Sequence, residues 1–360
     1  MMGSTEKTKL TPYLFEDKPL FGMDIGHNNV RIMQLQGTKH KPKVIGYGEI
    51  SFDASIVEEG VIVKPQELAA DIQKLFKHNL IGDITTKRVA MSVPIAKAFT
   101  RSVELPKLSD KEVIAAVQTE VEQYIPAAAE SLYIDYSTVQ SSKDQWTTFI
   151  VAMPRRIVDS YLLVARLLGL EPVIIQTSSG AGANLFSHDK QGDLPSVLVD
   201  FGSDSADITV YDKNPIVSGT VACGGEDITK LIAKELDVNA REATIIKTKY
   251  GLSYSKKQRQ IENALSDNLT TLVKEIQRSV RYYEERSKSK QQIAQVVVMG
   301  GGANMPGLAG YLTSTLRMPV RAFDPTHFIE FGRLQPLSQT ERMSYVSAAG
   351  LSALEPKEAF

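Results

Sequence analysis

Two short segments of the 360-residue chain carry the same residue types in the same order. The first reads Met23-Asp24-Ile25-Gly26-His27-Asn28-Asn29-Val30-Arg31-Ile32, and the second Val199-Asp200-Phe201-Gly202-Ser203-Asp204-Ser205-Ala206-Asp207-Ile208. In each, an aspartate ends an apolar run, a glycine follows two positions later, and a second apolar run begins soon after, as in a strand, a tight hairpin and a strand. Glycine lets the N–H groups of such a hairpin turn inward into a nest that holds phosphate oxygens, with charge-assisted bonds of roughly 1.5–3 kcal/mol each. An aspartate at the strand end suits Mg2+, which takes few carboxylates and keeps several waters. A single Asp-x-Gly is common in ordinary turns. Two of them with matching flanks would face each other as a clamp on a polyphosphate.

A third segment, Val296-Val297-Val298-Met299-Gly300-Gly301-Gly302-Ala303-Asn304, delivers three glycines from an apolar strand to the start of a helix. Backbone without a Cβ can lie against a flat ring there, although a plain strand-to-helix turn has the same pattern. The run Gly180-Ala181-Gly182-Ala183-Asn184 imitates a dinucleotide-binding fingerprint, but Leu185 holds its third glycine position and Asp200 is better used in its own turn. No Walker A sequence occurs, and the histidines at 27, 40, 78, 188 and 327 have no acid or nucleophile at useful spacing. Arg278, Arg281, Arg286, Lys288 and Lys290 read as a solvated helix face.

These motifs need elements to hold them. Residues 21–25, 30–35 and 44–52 read as an antiparallel meander, followed by a helix over 65–79 and a buried strand over 89–93. Residues 96–169 read as an inserted α+β module, with a strand at 100–105, a helix opened by Ser109 and Asp110, strands around Tyr133 and Phe149, and a helix over 155–168. A strand over 172–176 and a helix over 181–186 resume the first unit. Residues 190–195 then join it to a second half of three strands, three helices, the glycine run and a helix over 307–316. A last helix over 339–354 is placed to cross back. The expected division is a leader of 1–19, a first lobe of 20–95 and 170–190, an insert of 96–169, a second lobe of 195–338, and a C-terminal segment of 339–360 returning to the first lobe.

Composition narrows the function classes. With 42% hydrophobic and 23% charged residues the chain can bury substantial cores, and a net charge of -1 lacks the basic footprint of a nucleic-acid binder. One cysteine, Cys223, forms no intrachain disulfide, which fits a reducing compartment. No stretch approaches the ~20 apolar residues of a spanning helix.

The order of the three motifs resembles the superfamily of actin, sugar kinases and DnaK-type chaperones, where they are the phosphate-1, phosphate-2 and adenosine motifs. Cys223-Gly224-Gly225-Glu226-Asp227-Ile228-Thr229 and residues 243–247 are similar to the FtsA and PilM branch. The insert, with Glu122-Gln123-Tyr124-Ile125-Pro126 and then Asp135-Tyr136, resembles the PilM family of type IV pilus assembly proteins more than FtsA. The similarity runs from residue 20 to residue 354. It implies an α/β actin-like ATPase fold of two lobes with an inserted α+β subdomain, and ATP with Mg2+ as cofactors. Carried over by residue, it implies phosphate contacts at Gly26, His27, Asn28, Asn29, Arg31, Gly202, Ser203, Asp204 and Ser205, with magnesium at Asp24 and Asp200. It also implies nucleotide contacts at Gly224, Gly225, Lys247, Gly301, Gly302 and Ala303, and catalytic roles for Asp200 and for Gln176, which would orient the attacking water unless it only caps its strand. Asn29 and Arg31 stand where the family usually has a small hydroxyl and a lysine, Ala206 replaces a threonine, and Thr244 a ribose-binding glutamate. ATP binding with weak hydrolysis at most is therefore expected.

The resemblance further implies a cytoplasmic component of a type IV pilus inner-membrane platform, peripheral at the membrane through a PilN-like bitopic partner. The partner's cytoplasmic tail would lie beside Tyr124, Ile125 and Pro126, between the insert and the first lobe, unless these residues are simply insert core. Self-association is compatible with this reading; nucleic-acid binding and direct membrane insertion are not expected. An FtsA-like division protein would need an amphipathic membrane-binding helix, which residues 351–360, with Pro356 and two glutamates, do not supply. A sugar or acetate kinase would need an aspartate base in a second-substrate pocket that the sequence does not disclose.

Overall fold

The computed structural model of the chain describes residues 19–37, 41–140, 145–286 and 291–354. Residues 1–18 of the expected leader, Lys288 and Lys290 of the basic cluster, and residues 355–360 lie outside them. The first unit opens with β1 (Phe21–Ile25), β2 (Asn29–Gln36) and β3 (Lys43–Ser51), a small hairpin of β4 (Val57–Glu58) and β5 (Val61–Ile62), helix α1 (Pro65–His78), β6 (Leu80–Gly82) and β7 (Arg88–Val93). The insert contributes β8 (Phe99–Pro106), α2 (Asp110–Tyr124), β9 (Leu132–Gln140) and β10 (Gln145–Pro154), followed by α3 (Arg155–Leu167), β11 (Glu171–Thr177) and α4 (Ser178–Phe186). The second half runs through β12 (Ser196–Phe201), β13 (Ala206–Asp212), β14 (Asn214–Val221), α5 (Gly225–Leu236), α6 (Ala240–Lys249), α7 (Gln258–Arg286), β15 (Gln295–Met299), α8 (Leu308–Leu316), β16 (Val320–Ala322) and α9 (Val346–Ser352).

Among the described residues the strands build two sheets of the same plan. In the first the order is β11-β7-β1-β2-β3-β6, and in the second β14-β13-β12-β15-β16, so β1 and β12 occupy equivalent central positions. Each pairs antiparallel with the strand after it and parallel with a later one, β7 for β1 and β15 for β12. The repeated sequence is thus a repeated topology. Both central hairpins close on the same bond: Gly26 N–H donates to Asn29 O at 2.9 Å and Gly202 N–H to Ser205 O at 2.8 Å.

The insert is a three-stranded sheet, β8-β10-β9, covered by α2. Ser109 and Glu112 cap that helix reciprocally, and Val113, Val117 and Val121 stack at four-residue spacing against Leu132, Ile150 and Ala152. Sequence reading assigned residues 155–168 to the insert. The helix there packs elsewhere: Ile157, Val158, Tyr161 and Val164 enter the core of the six-stranded sheet with Leu68, Ile72 and Leu75 of α1. An amphipathic helix goes where the larger apolar face awaits it, and the small insert sheet already has α2.

Two helices of small residues join the units. The glycines of α4, which imitate a nucleotide fingerprint, instead thin its surface: a Cβ on Gly182 would stand 3.0 Å from Met299 Sδ. In α9 a Cβ on Gly350 would lie 2.0 Å from Ala181 O, and one on Gly22 of β1 lies 2.0 Å from Ala348 O. Met33, Leu35 and Tyr47 of the first sheet, Leu198, Val297 and Met299 of the second, and Phe186 and Ala349 of the helices share this one core. The last α-helix is shorter than the expected 339–354: a 3-10 turn, Arg342–Tyr345, precedes it, and Asn304 Nδ2 donates to Thr340 O at 2.7 Å ahead of that.

Candidate functional site

A cleft of about 310 Å³ opens between the two central hairpins. Asp24, Gly26, His27, Asn28, Asn29 and Arg31 line it from the first sheet; Asp200, Gly202, Ser203, Asp204 and Ser205 face them from the second, with Gly301 beside them. Register fixes what stands next to each aspartate. Asp24 lies opposite Arg31, whereas Asp200 lies opposite Asp207. The equivalent positions therefore carry opposite charge.

The electrostatics follow from that difference. Burial pushes the Asp24 carboxyl above its ordinary range, opposed by the Ser92 hydroxyl that donates to Oδ1 and by Arg31. Asp200 is pushed up to about 7, first by burial and then by the charges of Asp207 and Asp24. Asp207 is raised to about 6 by burial, against donation from Thr220 Oγ1 to its Oδ1 at 2.7 Å. Buried carboxyls crowded this way gain from a cation that restores their charge. Among the described residues no three His, Cys, Asp or Glu side chains form a metal site of their own. The donor set fits an ion held by one or two carboxylates and completed by ligand oxygens and water, the habit of Mg2+.

Several expected contacts stand behind the cleft rather than in it. Gly225 N–H donates to Gly202 O at 3.0 Å and Glu226 N–H to Ser203 O at 2.7 Å, while a Cβ on Gly224 would collide with the Ser203–Asp204 backbone at 2.3 Å. These glycines brace the second hairpin. Lys247 Nζ donates to Gly225 O at 2.7 Å and Thr229 Oγ1 at 2.8 Å, with burial lowering its pKa. A Cβ on Gly302 would stand 2.7 Å from that of Phe201, and Ala303 is buried in the second core, so of the three expected contacts in the run only Gly301 lines the cleft, beside Gly300. Gln176 is absent from the lining; β11 lies two strands from β1, and its side chain ends against Gly180 with Oε1 buried and unpaired. Arg31 lines the cleft but is held by Glu49, through Nε at 3.1 Å and a second nitrogen at 3.0 Å.

Residues to which sequence reading gave no role also line it, among them Ser92, Lys97, Tyr161, Ser178, Asp207 and Ser344. Asp207 was within reach, since its place one strand residue beyond the second hairpin is that of Arg31 in the first. The first hairpin also touches the second half across the cleft: Asn28 Nδ2 donates to Glu226 Oε1 of α5 at 2.8 Å, and Ser203 Oγ of the second hairpin donates to Asn28 Oδ1 at 3.4 Å.

A second cavity, of about 320 Å³, lies at the end of α2. Tyr124 and Ile125 line it with Phe99, Arg101, Glu120 and Ser218; Pro126 does not. Tyr124 is 54% exposed, and the Arg101 guanidinium lies 3.5 Å from the centre of its ring. Ile125 packs partly on the insert core. The far wall is β14 of the second sheet, tied to β8 where Ser102 Oγ donates to Ile216 O, so the groove separates the insert from the second lobe rather than from the first.

Among the described residues no helix is long and apolar enough to cross a membrane. Cell division protein FtsA of Bacillus subtilis is 23% identical over 357 residues, covering 85% of this chain and 78% of that protein, and FtsA of Enterococcus faecalis is 21% identical over 347 residues with the same shares. A solved PilM-PilN type IV pilus biogenesis complex superposes with a TM-score of 0.79 at 22% identity, covering 93% of this chain and 98% of that one. MreB5 of Spiroplasma citri bound to ADP gives a TM-score of 0.51 at 15% identity, over 96% and 98% of the two chains. The fold is that of the actin-like ATPases, and the family model for type IV pilus assembly protein PilM matches residues 22–356. The chain belongs to the PilM family of type IV pilus assembly proteins.

Proposed function

We propose that the chain is an ATP-binding component of a type IV pilus assembly platform, acting in the cytoplasm at the inner face of the membrane through a PilN-type partner. The observation that carries the nucleotide half is the pair of equivalent hairpins facing each other across one cleft, each with an Asp-x-Gly turn and a Gly N–H closing the loop. The hairpin backbones cradle the phosphates, Gly301 admits the base side, and Asp24 and Asp200 hold magnesium, which supplies positive charge against the phosphates when bound. Gln176 stands outside the cleft, in keeping with a nucleotide that is bound rather than rapidly hydrolysed. For the partner, the tail of a PilN-type protein occupies the groove at Tyr124 and Ile125, where an aromatic anchor and a partly exposed aliphatic one lie together.

The test is calorimetry on the full chain. Asp200→Ala is expected to lose at least about tenfold in magnesium-ATP affinity, whereas the exposed Lys74→Ala should bind as the wild type does. Equal affinities would remove the site. In parallel, Tyr124→Ala should bind a synthetic PilN-type tail peptide more weakly at unchanged melting temperature; full affinity in that variant would move the groove elsewhere.

A further inference from the structure

The two cavities meet along one stretch of backbone. Ala96 and Lys97 line the cleft, and the next residues, Ala98, Phe99, Thr100 and Arg101, line the groove. Lys97 ends a short 3-10 turn, Ile95–Lys97, that leads directly into β8. Its ammonium pairs with the Glu59 carboxylate at the tip of the β4–β5 hairpin, where Glu59 and Gly60 have φ of 49° and 79°. A Cβ on Gly60 would stand 2.9 Å from Lys97 Cγ, so glycine there leaves the lysine stem its path over the hairpin.

Two features set this lysine apart. Its partner is 78% exposed and Lys97 itself 37%, so the pair is of the readily exchanged kind, whereas Arg31 is held in a two-bond, half-buried pair with Glu49. The cleft wall also carries Asp24, Glu59, Asp200, Asp204 and Asp207, an excess of carboxylate that a polyphosphate meets unless a cation turns toward it. A second connection reaches the same turn: Ile95 N–H donates to Ser178 Oγ at 3.5 Å, Ser178 Oγ to Asp207 Oδ2 at 3.5 Å, and Thr220 Oγ1 to Asp207 Oδ1 at 2.7 Å. Thr220 lies two residues from Ser218, on the groove's other wall. Both walls of the groove therefore lead back to the cleft.

We propose that Lys97 is a further phosphate-binding residue, exchanging the Glu59 carboxylate for a nucleotide phosphate and, through the backbone it shares with Ala98 and Phe99, linking nucleotide occupancy to peptide binding. This inference rests on the nucleotide and tail readings above. Linkage is reciprocal, so each ligand changes the affinity of the other by one factor.

The experiment titrates a labelled synthetic peptide of the PilN-type tail into the full chain with and without magnesium-ATP, and ATP with and without peptide. In the wild type the two peptide Kd values should differ by about fivefold or more. Lys97→Met should weaken ATP binding about tenfold and bring the peptide ratio to about one, while Lys97→Arg restores both. Glu59→Gln removes the competing carboxylate and should tighten ATP binding, opposite in sign to Lys97→Met. If the pair only holds the hairpin, both variants lower the melting temperature and leave the peptide ratio intact, which overturns the proposal. A wild type that binds ATP and peptide independently overturns it while leaving the nucleotide site standing. A wild type that binds no ATP brings down the nucleotide reading and this inference together.

Discussion

At the scale of single residues, the difference between the two halves of the cleft comes down to one position. Arg31 opposite Asp24 and Asp207 opposite Asp200 are the same place in a repeated hairpin, and the choice of side chain there sets the charge of each wall. Because Asp200 and Asp207 are raised in the folded protein to about 7 and about 6, their neutral forms favour folding. That stabilisation is complete below the ordinary value of 3.8 and is lost as pH rises through 6 to 7 in the ligand-free chain. Asp200→Asn, which stays neutral, should therefore melt several degrees above the wild type near pH 8 and gain nothing near pH 4. Equal gains at both pH values in a melting series would show that ionisation is not the cause. The hairpin residues were legible in the sequence because glycine, aspartate and spacing suffice to name a phosphate nest. Gly302, Ala303 and Lys247 were not: whether a residue faces a ligand or a neighbouring side chain depends on Phe201 and on the first turn of α5, which lie far away along the chain.

Among elements, the same contrast separates what local pattern decides from what tertiary competition decides. The capping box at Ser109 and Glu112 and the valine stripe after it specify α2 without reference to anything distant. Helix α3 carries an equally plain stripe, but nothing within it says which sheet it will cover, and its burial against α1 follows from the larger face available there. The glycine run of α4 only imitates a dinucleotide fingerprint: Gly182 leaves room for Met299, and Gly350 of α9 lets that helix approach Ala181. The seam between these helices should be intolerant of added volume. Gly350→Val sets a branched side chain against a backbone carbonyl 2.0 Å from the new Cβ, with no rotamer to relieve it. We expect it to cost more than about 3 kcal/mol, the upper end of ordinary overpacking, read as a lower melting temperature and a smaller urea midpoint. A neutral result would mean that the two helices slide apart at little cost.

At the scale of the whole molecule, two sheets of one plan share a core made by α4 and α9, so the cleft between their hairpins and the seam behind it belong to a single joint. The helix that completes this joint lies far along the chain from the strands it covers, 317 residues separating Leu35 from Ser352. Leu35 N–H donates to Ser352 Oγ at 2.8 Å, and Gly22 lies against Ala348, so strands within the first forty residues are finished by residues beyond 345. On a ribosome, which delivers the N-terminus first, the inner face of β1 and β2 lacks its α9 cover until residues 346–352 have emerged. Stalled nascent chains ending before Val346 should remain open to protease across residues 20–50, and chains extended past Ser352 and clear of the exit tunnel should become resistant there. The first sheet is thus finished only once residues 346–352 have been made, and a nascent chain that stops short of them would be left open along the strands it formed first.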